Sequence, residues 1–115
     1  MDELISRITA NVGIDAATAE KSVGLILSFL QQEGDEAAAS EMINGTPGGA
    51  DLVAKHGEPM SGGVMGLGGK LMGAGLGMGE INGVAREVMA FAKEKVGADT
   101  VDRVVGSVPG LSQFV

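Results

Sequence analysis

Residues 13–30 read GIDAATAEKSVGLILSFL, and 62 positions later residues 75–92 read GLGMGEINGVAREVMAFA. Gly13-Ile14 returns as Gly75-Leu76, and Phe29 as Phe91. The same spacing joins Pro47-Gly48 to Pro109-Gly110 and Leu52-Val53 to Phe114-Val115. A fixed period within one chain marks a repeated supersecondary unit, one that buries its apolar side by stacking on its neighbour. The expected architecture is a single small domain of two such units. Repeat 1 spans about 1–56 and repeat 2 about 63–115, with a Gly/Met-rich linker near 57–66, boundaries good to a few residues.

Each unit reads as helical. Leu4, Ile5, Ile8 and Val12 share one helical face, and Gly13 suits the left-handed position that ends a helix. Asp15 then stands as an N-cap for a helix over about 16–33. Val23, Leu25, Ile26, Leu27, Phe29 and Leu30 cover most of that helix's circumference, the pattern of a buried helix. Gly34 closes it. Asp35 is expected to cap a third helix carrying Ala37, Ala38, Ala39, Met42 and Ile43. Thr46-Pro47 reads as N-cap plus proline at the first position of a short helix that ends at His56-Gly57. The second copy repeats the order. Leu67, Lys70 and Leu71 echo Leu4, Arg7 and Ile8 with a one-residue slip. Ile81, Val84, Ala85, Val88, Met89, Ala92 and Val96 step at three and four residues, Gly97 follows, and Val101, Val104 and Val105 form a third helix. Pro109 starts a last turn holding Leu111, Phe114 and Val115. The valines step at helical intervals, and pattern outranks propensity. The fold class is therefore all-α.

Composition restricts function. At 115 residues the chain is one domain, long enough to bury a core without metal or disulfide. It has no cysteine, so disulfides, thiolate metal sites and cysteine nucleophiles are excluded. Its net charge of −7 repels phosphate backbones and anionic lipid, and its only aromatics are three phenylalanines. Nucleic acid is not an expected partner. Met1-Asp2-Glu3 opens without a basic or apolar leader, which points to the cytoplasm.

Residues 61–79, SGGVMGLGGKLMGAGLGMG, hold nine glycines and one charge. A phosphate loop needs glycine six residues before its Lys and a hydroxyl after it; Lys70 has Val64 and Leu71 there. The dinucleotide pattern G-x-G-x-x-G is absent from the block, and no strand precedes it. As a membrane span the block would put Lys70 at the bilayer centre, an expensive place, so membrane contact is not expected. Two readings stay open. In one, Gly62, Gly66, Gly69, Gly73 and Gly77 make a smooth helix face, with Met65 and Met72 as adaptable apolar contacts. That helix would pack on the other repeat or on a second chain. In the other, the entropy cost of glycine leaves the block a loose linker. The candidate interaction surface is Met65, Gly66, Gly69, Met72, Gly73 and Gly77.

No catalytic, cofactor or metal residues are assigned. His56, the only histidine, follows Lys55 at a helix end, where a cation complements the helix dipole. Asp35-Glu36 and the Asp99/Asp102 pair stand where carboxylates stabilise helix starts. No nucleophile elbow surrounds any serine.

Met1-Asp2-Glu3-Leu4-Ile5, Val12-Gly13-Ile14-Asp15, Gly77-Met78-Gly79-Glu80-Ile81 and Val108-Pro109-Gly110-Leu111-Ser112-Gln113-Phe114-Val115 resemble phrases in small bacterial helical proteins grouped as domains of unknown function. Family 2267 is the nearer likeness and family 2780 the second. Family 2780 shares the glycine-led helix start, the Pro-Gly after the third helix and a glycine-rich middle. The resemblance implies an all-helical protein and carries no activity or site residues with it. The functional expectation is a non-enzymatic interaction or self-association module, most simply a homodimer. The alternative is a carrier of an apolar small molecule or lipid tail in a Met-lined cleft between the repeats.

Overall fold

Seven helices, and no strand, make up the described residues of the computed structural model, which are 2–57, 63–108 and 110–111. They are α1 (Asp2–Val12), α2 (Ala16–Glu33), α3 (Glu36–Gly45), α4 (Gly49–His56), α5 (Gly63–Gly73), α6 (Met78–Val96) and α7 (Ala98–Ser107). The all-α expectation holds.

Local chemistry sets the boundaries. Gly13, at φ +86°, turns the chain after α1. The Asp15 carboxylate accepts the Thr18 N–H at 2.7 Å and so caps α2. That backbone hydrogen bond holds the Asp15 carboxyl below its ordinary range. Gly34 closes α2 by donating to the Leu30 carbonyl at 2.9 Å. In the second half Gly75, at φ +106°, follows α5. Glu80 reaches back to accept the Gly77 N–H at 2.8 Å and anchors the start of α6. Gly97, at φ +94°, joins α6 to α7.

Three local expectations are corrected. Asp35 does not cap α3 with its side chain. Its backbone N–H donates instead to Ser107 Oγ of α7 at 2.7 Å, so a distant hydroxyl ties down the chain there. Thr46 ends α3 rather than opening α4. Its N–H reaches the Met42 and Ile43 carbonyls, and its hydroxyl donates to Met42 O at 2.8 Å. The next residues then form a tight turn. Gly49 N–H returns to Thr46 O at 2.9 Å, and Gly48, at φ 78° and ψ −1°, has the backbone of the third residue of a type II turn behind Pro47. Finally, α5 starts at Gly63, inside the expected linker, and ends at Gly73. The reading of 61–79 as one helix is thus shortened, because Gly75 takes a left-handed backbone that a helix cannot continue. Gly62, Pro109, Phe114 and Val115 lie outside the described residues.

The helix limits recur at the sequence spacing. α2 and α6 begin 62 positions apart, α3 and α7 match at both ends, and α1 and α5 agree within one residue. The left-handed glycines Gly13 and Gly75, and Gly48 and Gly110, are also 62 apart. Every buried position of α6 (Ile81, Val84, Ala85, Val88, Met89, Phe91 and Ala92) has a buried counterpart 62 earlier in α2. Packing is reciprocal too. α1 lies on α6 and α5 lies on α2, while α3 and α7 pack together. Each half thus lays its first helix across the long helix of the other.

α2 is the centre of the core. It packs against α1, α3, α4, α5 and α6, and Phe29, Leu30 and Leu27 on it are fully buried. Phe91 is its equally buried counterpart on α6. Glycine is needed at one helix crossing above all. A Cβ on Gly24 would lie 2.6 Å from the Leu52 carbonyl oxygen and 2.8 Å from His56 Cβ, so α4 can sit directly on α2 only because position 24 has no side chain.

Candidate interaction face

At 100° per residue, α5 divides its side chains sharply. Leu67 and Leu71 are buried, and Val64 and Ala74 beside them pack partly on the core. Met65, Gly69, Met72 and Gly73 lie on the opposite side and are exposed. Met65 is 82 % exposed and Met72 54 %. Met78, just past the turn, is 59 % exposed, and these three methionines are the exposed large apolar side chains among the described residues.

The expected surface residues divide accordingly. The structure brings Met65, Gly69, Met72 and Gly73 onto one outer face. Gly66 is half-buried at its edge. Gly77 lies off the helix, before α6, with its N–H held by Glu80. α5 packs on α2 of the other half, but through its leucine side and not its glycine side. A Cβ on Gly69 or Gly73 would meet nothing within 4 Å. Leu67 and Leu71 make the contact within the chain, because they are the branched apolar residues on the side facing α2 and α6.

The cleft between the halves is nearly filled. Where α5 meets α2 and α6, a crevice lined by Ile26, Val64, Leu67, Leu71, Ile81 and Met89 encloses about 10 Å³. One methionine lines it; Met65 and Met72 point away. A space of that size is about one water molecule's worth. Wider grooves open to solvent. One, of about 440 Å³, lies among α1, α2 and α4 beside Ile5, Glu20, Asp51 and Lys55. Another, of about 410 Å³, lies between α6 and α7.

Among the described residues no group of three or more His, Asp or Glu side chains could hold a metal ion. His56 sits with Lys55 in the last turn of α4, as the dipole argument places it. No described helix is long and apolar enough to cross a membrane.

One polar cluster was not foreseen. Arg7 of α1 binds Glu94 of α6 through two hydrogen bonds and Glu3 through a third. Its guanidinium carbon lies 5.3 Å from the Phe91 ring centroid, and Lys95 Nζ lies 5.2 Å from the same centroid. Both cations are within reach of the ring's negative face. Only the Glu3–Arg7 pair, four residues apart on a helix, leaves a signal in the sequence. The cluster joins the two halves and holds no free acid–base pair.

Compared with known proteins, the chain matches no family model, no curated protein and no solved structure.

Proposed function

We propose that this chain is a non-enzymatic, self-associating interaction module of the bacterial cytoplasm, and that its contact surface is the outer face of α5. The observation that carries the reading is the coincidence of Met65, Met72, Gly69 and Gly73 on one uncovered side of a helix. Exposed apolar patches of this kind are used for association. Methionine adapts to a partner's shape, and glycine lets a second backbone approach closely. A second copy presenting the same face closes the contact by twofold symmetry, the commonest arrangement of homodimers. The net charge of −7 disfavours nucleic acid and anionic membranes as partners. The alternative, a carrier of an apolar ligand, would require α5 to lift from α2 and α6, since the crevice beneath it encloses only about 10 Å³.

Sedimentation of the wild type and of Gly69→Leu/Gly73→Leu tests the proposal. The added side chains enter open space in the monomer, so the fold is expected to persist. The wild type is expected to sediment as a dimer and the variant as a monomer. A wild type that stays monomeric at high concentration refutes self-association. A dimer indifferent to the substitutions refutes this face.

A further inference from the structure

In the first half, α4 leaves only a narrow groove on α2 and α3. It encloses about 190 Å³ between Gln31, Ser40 and Ile43 of those helices and Ala50, Val53 and Ala54 of α4. Counted 62 positions on, Gln31, Ser40 and Ile43 become Lys93, Asp102 and Val105. Those three line the groove of about 410 Å³ between α6 and α7. Gly24, which α4 covers, becomes Arg86 on the wall of that groove. The two grooves thus hold matching places in the two halves. A helix fills the first, and among the described residues none fills the second.

The exchanged residues bring charge. Met89 and Val101 are buried in the floor of the second groove. Arg86 and Lys93 stand exposed on its α6 wall, where the first half has a glycine and a glutamine. Neither is paired with an acid among the described residues. The neighbouring acids of α6, Glu87 and Glu94, turn the other way and bind Asn11 and Arg7 of α1. Asp102, on α7, is the one carboxylate among the described residues of the wall. In a chain of net charge −7, two cations against one acid make this groove locally positive.

Spacing decides what answers that charge. Arg86 and Lys93 are seven residues apart, about 10 Å along the helix axis. A single carboxylate cannot sit at both. Two carboxylates seven residues apart on a second helix can, and apolar side chains between them then face the floor. Arg86 in place of Gly24 holds such a helix farther out than α4 sits, so longer side chains than Ala50, Val53 and Ala54 are needed to reach down. A second copy of the chain does not offer this pattern. Its exposed large apolar side chains among the described residues, Met65, Met72 and Met78, lie on or next to α5, a helix without a carboxylate.

We propose that the groove between α6 and α7 docks an amphipathic helix of another protein. That helix carries leucine-sized apolar residues on one face and two carboxylates, seven residues apart, for Arg86 and Lys93.

Titration of the methyl-labelled full chain with a cross-linked helical peptide tests this. The peptide has leucines between two Glu seven residues apart, and a second form has Gln for both Glu. Cross-linking keeps the short helix formed in water. The Glu form is expected to shift the methyl resonances of Met89, Val101 and Val105, and to bind about two- to tenfold more tightly than the Gln form at low salt. Both cations are exposed, so Arg86→Gln/Lys93→Gln is expected to keep the fold, as circular dichroism checks. In that variant the two peptides are expected to bind alike. No shift at millimolar peptide, shifts only at other methyls, equal binding of both peptides to wild type, or a variant that still prefers Glu overturns the proposal. So does dodecanoate taking the groove where the peptide does not, which would make an amphiphile the ligand. Shifts of the same methyls on raising the protein concentration alone would make a second copy the occupant and overturn it as well.

Discussion

Arg7 and Glu94 clasp each other across the joint between the two halves, Nη1 donating to Oε2 at 2.6 Å and Nη2 to Oε1 at 2.9 Å. The two-pronged geometry fixes how α1 lies on α6, and the guanidinium covers the edge of the core at Phe91. The side chains are 31 % and 50 % exposed, so solvent screens the attraction, and the pair acts more on register than on total stability.

This pair gives the acid limb of stability a definite sign. The hydrogen bonds from Arg7, and then the charges of Arg7 and Lys95, hold the Glu94 carboxyl below its ordinary value of 4.5. A carboxyl whose pKa is lower folded than unfolded contributes stability above the unfolded value. That contribution is lost as pH falls through the folded one. Asp15, held below 3.8 by the Thr18 N–H, adds a loss of the same sign at lower pH. Thermal melts of wild type and Glu94→Gln from about pH 7 to about pH 3 check this. The wild type is expected to lose Tm more steeply on the acid side, with the two curves converging at the lowest pH. Parallel curves would show that Arg7 does not stabilise the ionised form.

Phe29 and Phe91, fully buried on the two long helices, are expected to matter alike. Replacing either by Ala leaves a cavity among close-packed apolar neighbours, at about 3–5 kcal/mol each. Urea melts of the two single variants measure it. Matching losses agree with equivalent positions in a repeated unit. On superposition, α1–α3 are expected to match α5–α7 with Phe29 on Phe91. A variant as stable as wild type would move that ring out of the core.

Glycines of this chain are expected to respond to alanine with opposite signs. At Gly24 the new methyl would press on the Leu52 carbonyl and on His56, forcing α4 from α2. Overpacking of this kind costs about 1–3 kcal/mol. At Gly68, in the interior of α5, a methyl meets nothing within 4 Å. There the helix gains from the loss of glycine's backbone freedom, by about 0.5–1 kcal/mol. Denaturation midpoints of Gly24→Ala and Gly68→Ala decide. A stabilised Gly24→Ala would mean that α4 is not seated as described.

How much of this could be read in advance depends on the reach of each interaction. Gly13, Asp15 and the apolar run from Val23 to Leu30 act within one or two turns, and they place α2 at 16–33 as found. Burial of both phenylalanines follows from periodicity alone. The outer face of α5 was harder. Val64, Met65, Leu67, Leu71 and Met72 put apolar residues on all sides, and Lys70 is the single charge, so no polar stripe marks the outside. Thr46-Pro47 has the local signature of a helix start, yet the preceding helix claims the threonine through the Met42 carbonyl. Arg7 and Glu94 are 87 positions apart, and pairing at that distance leaves no local trace.

The start of α3 shows the same lesson in a form that can be measured. Asp35 looks like its cap, but the group that satisfies the chain is Ser107, 72 positions away. Ser107 Oγ accepts the Asp35 N–H at 2.7 Å while donating to the Val104 carbonyl at 2.7 Å, so one hydroxyl ties the start of α3 to the end of α7. Ser107→Ala would leave a half-buried backbone donor without its partner, at about 1–2 kcal/mol. Asp35→Ala removes a side chain that makes no capping bond and is expected to stay within about 0.5 kcal/mol of wild type. Hydrogen exchange at the Asp35 amide separates the two cases further. The amide is expected to be protected in wild type and in Asp35→Ala, and to exchange faster in Ser107→Ala. If Asp35→Ala proves the more damaging substitution, the cap is local after all, and the bond between α3 and α7 does not form in solution.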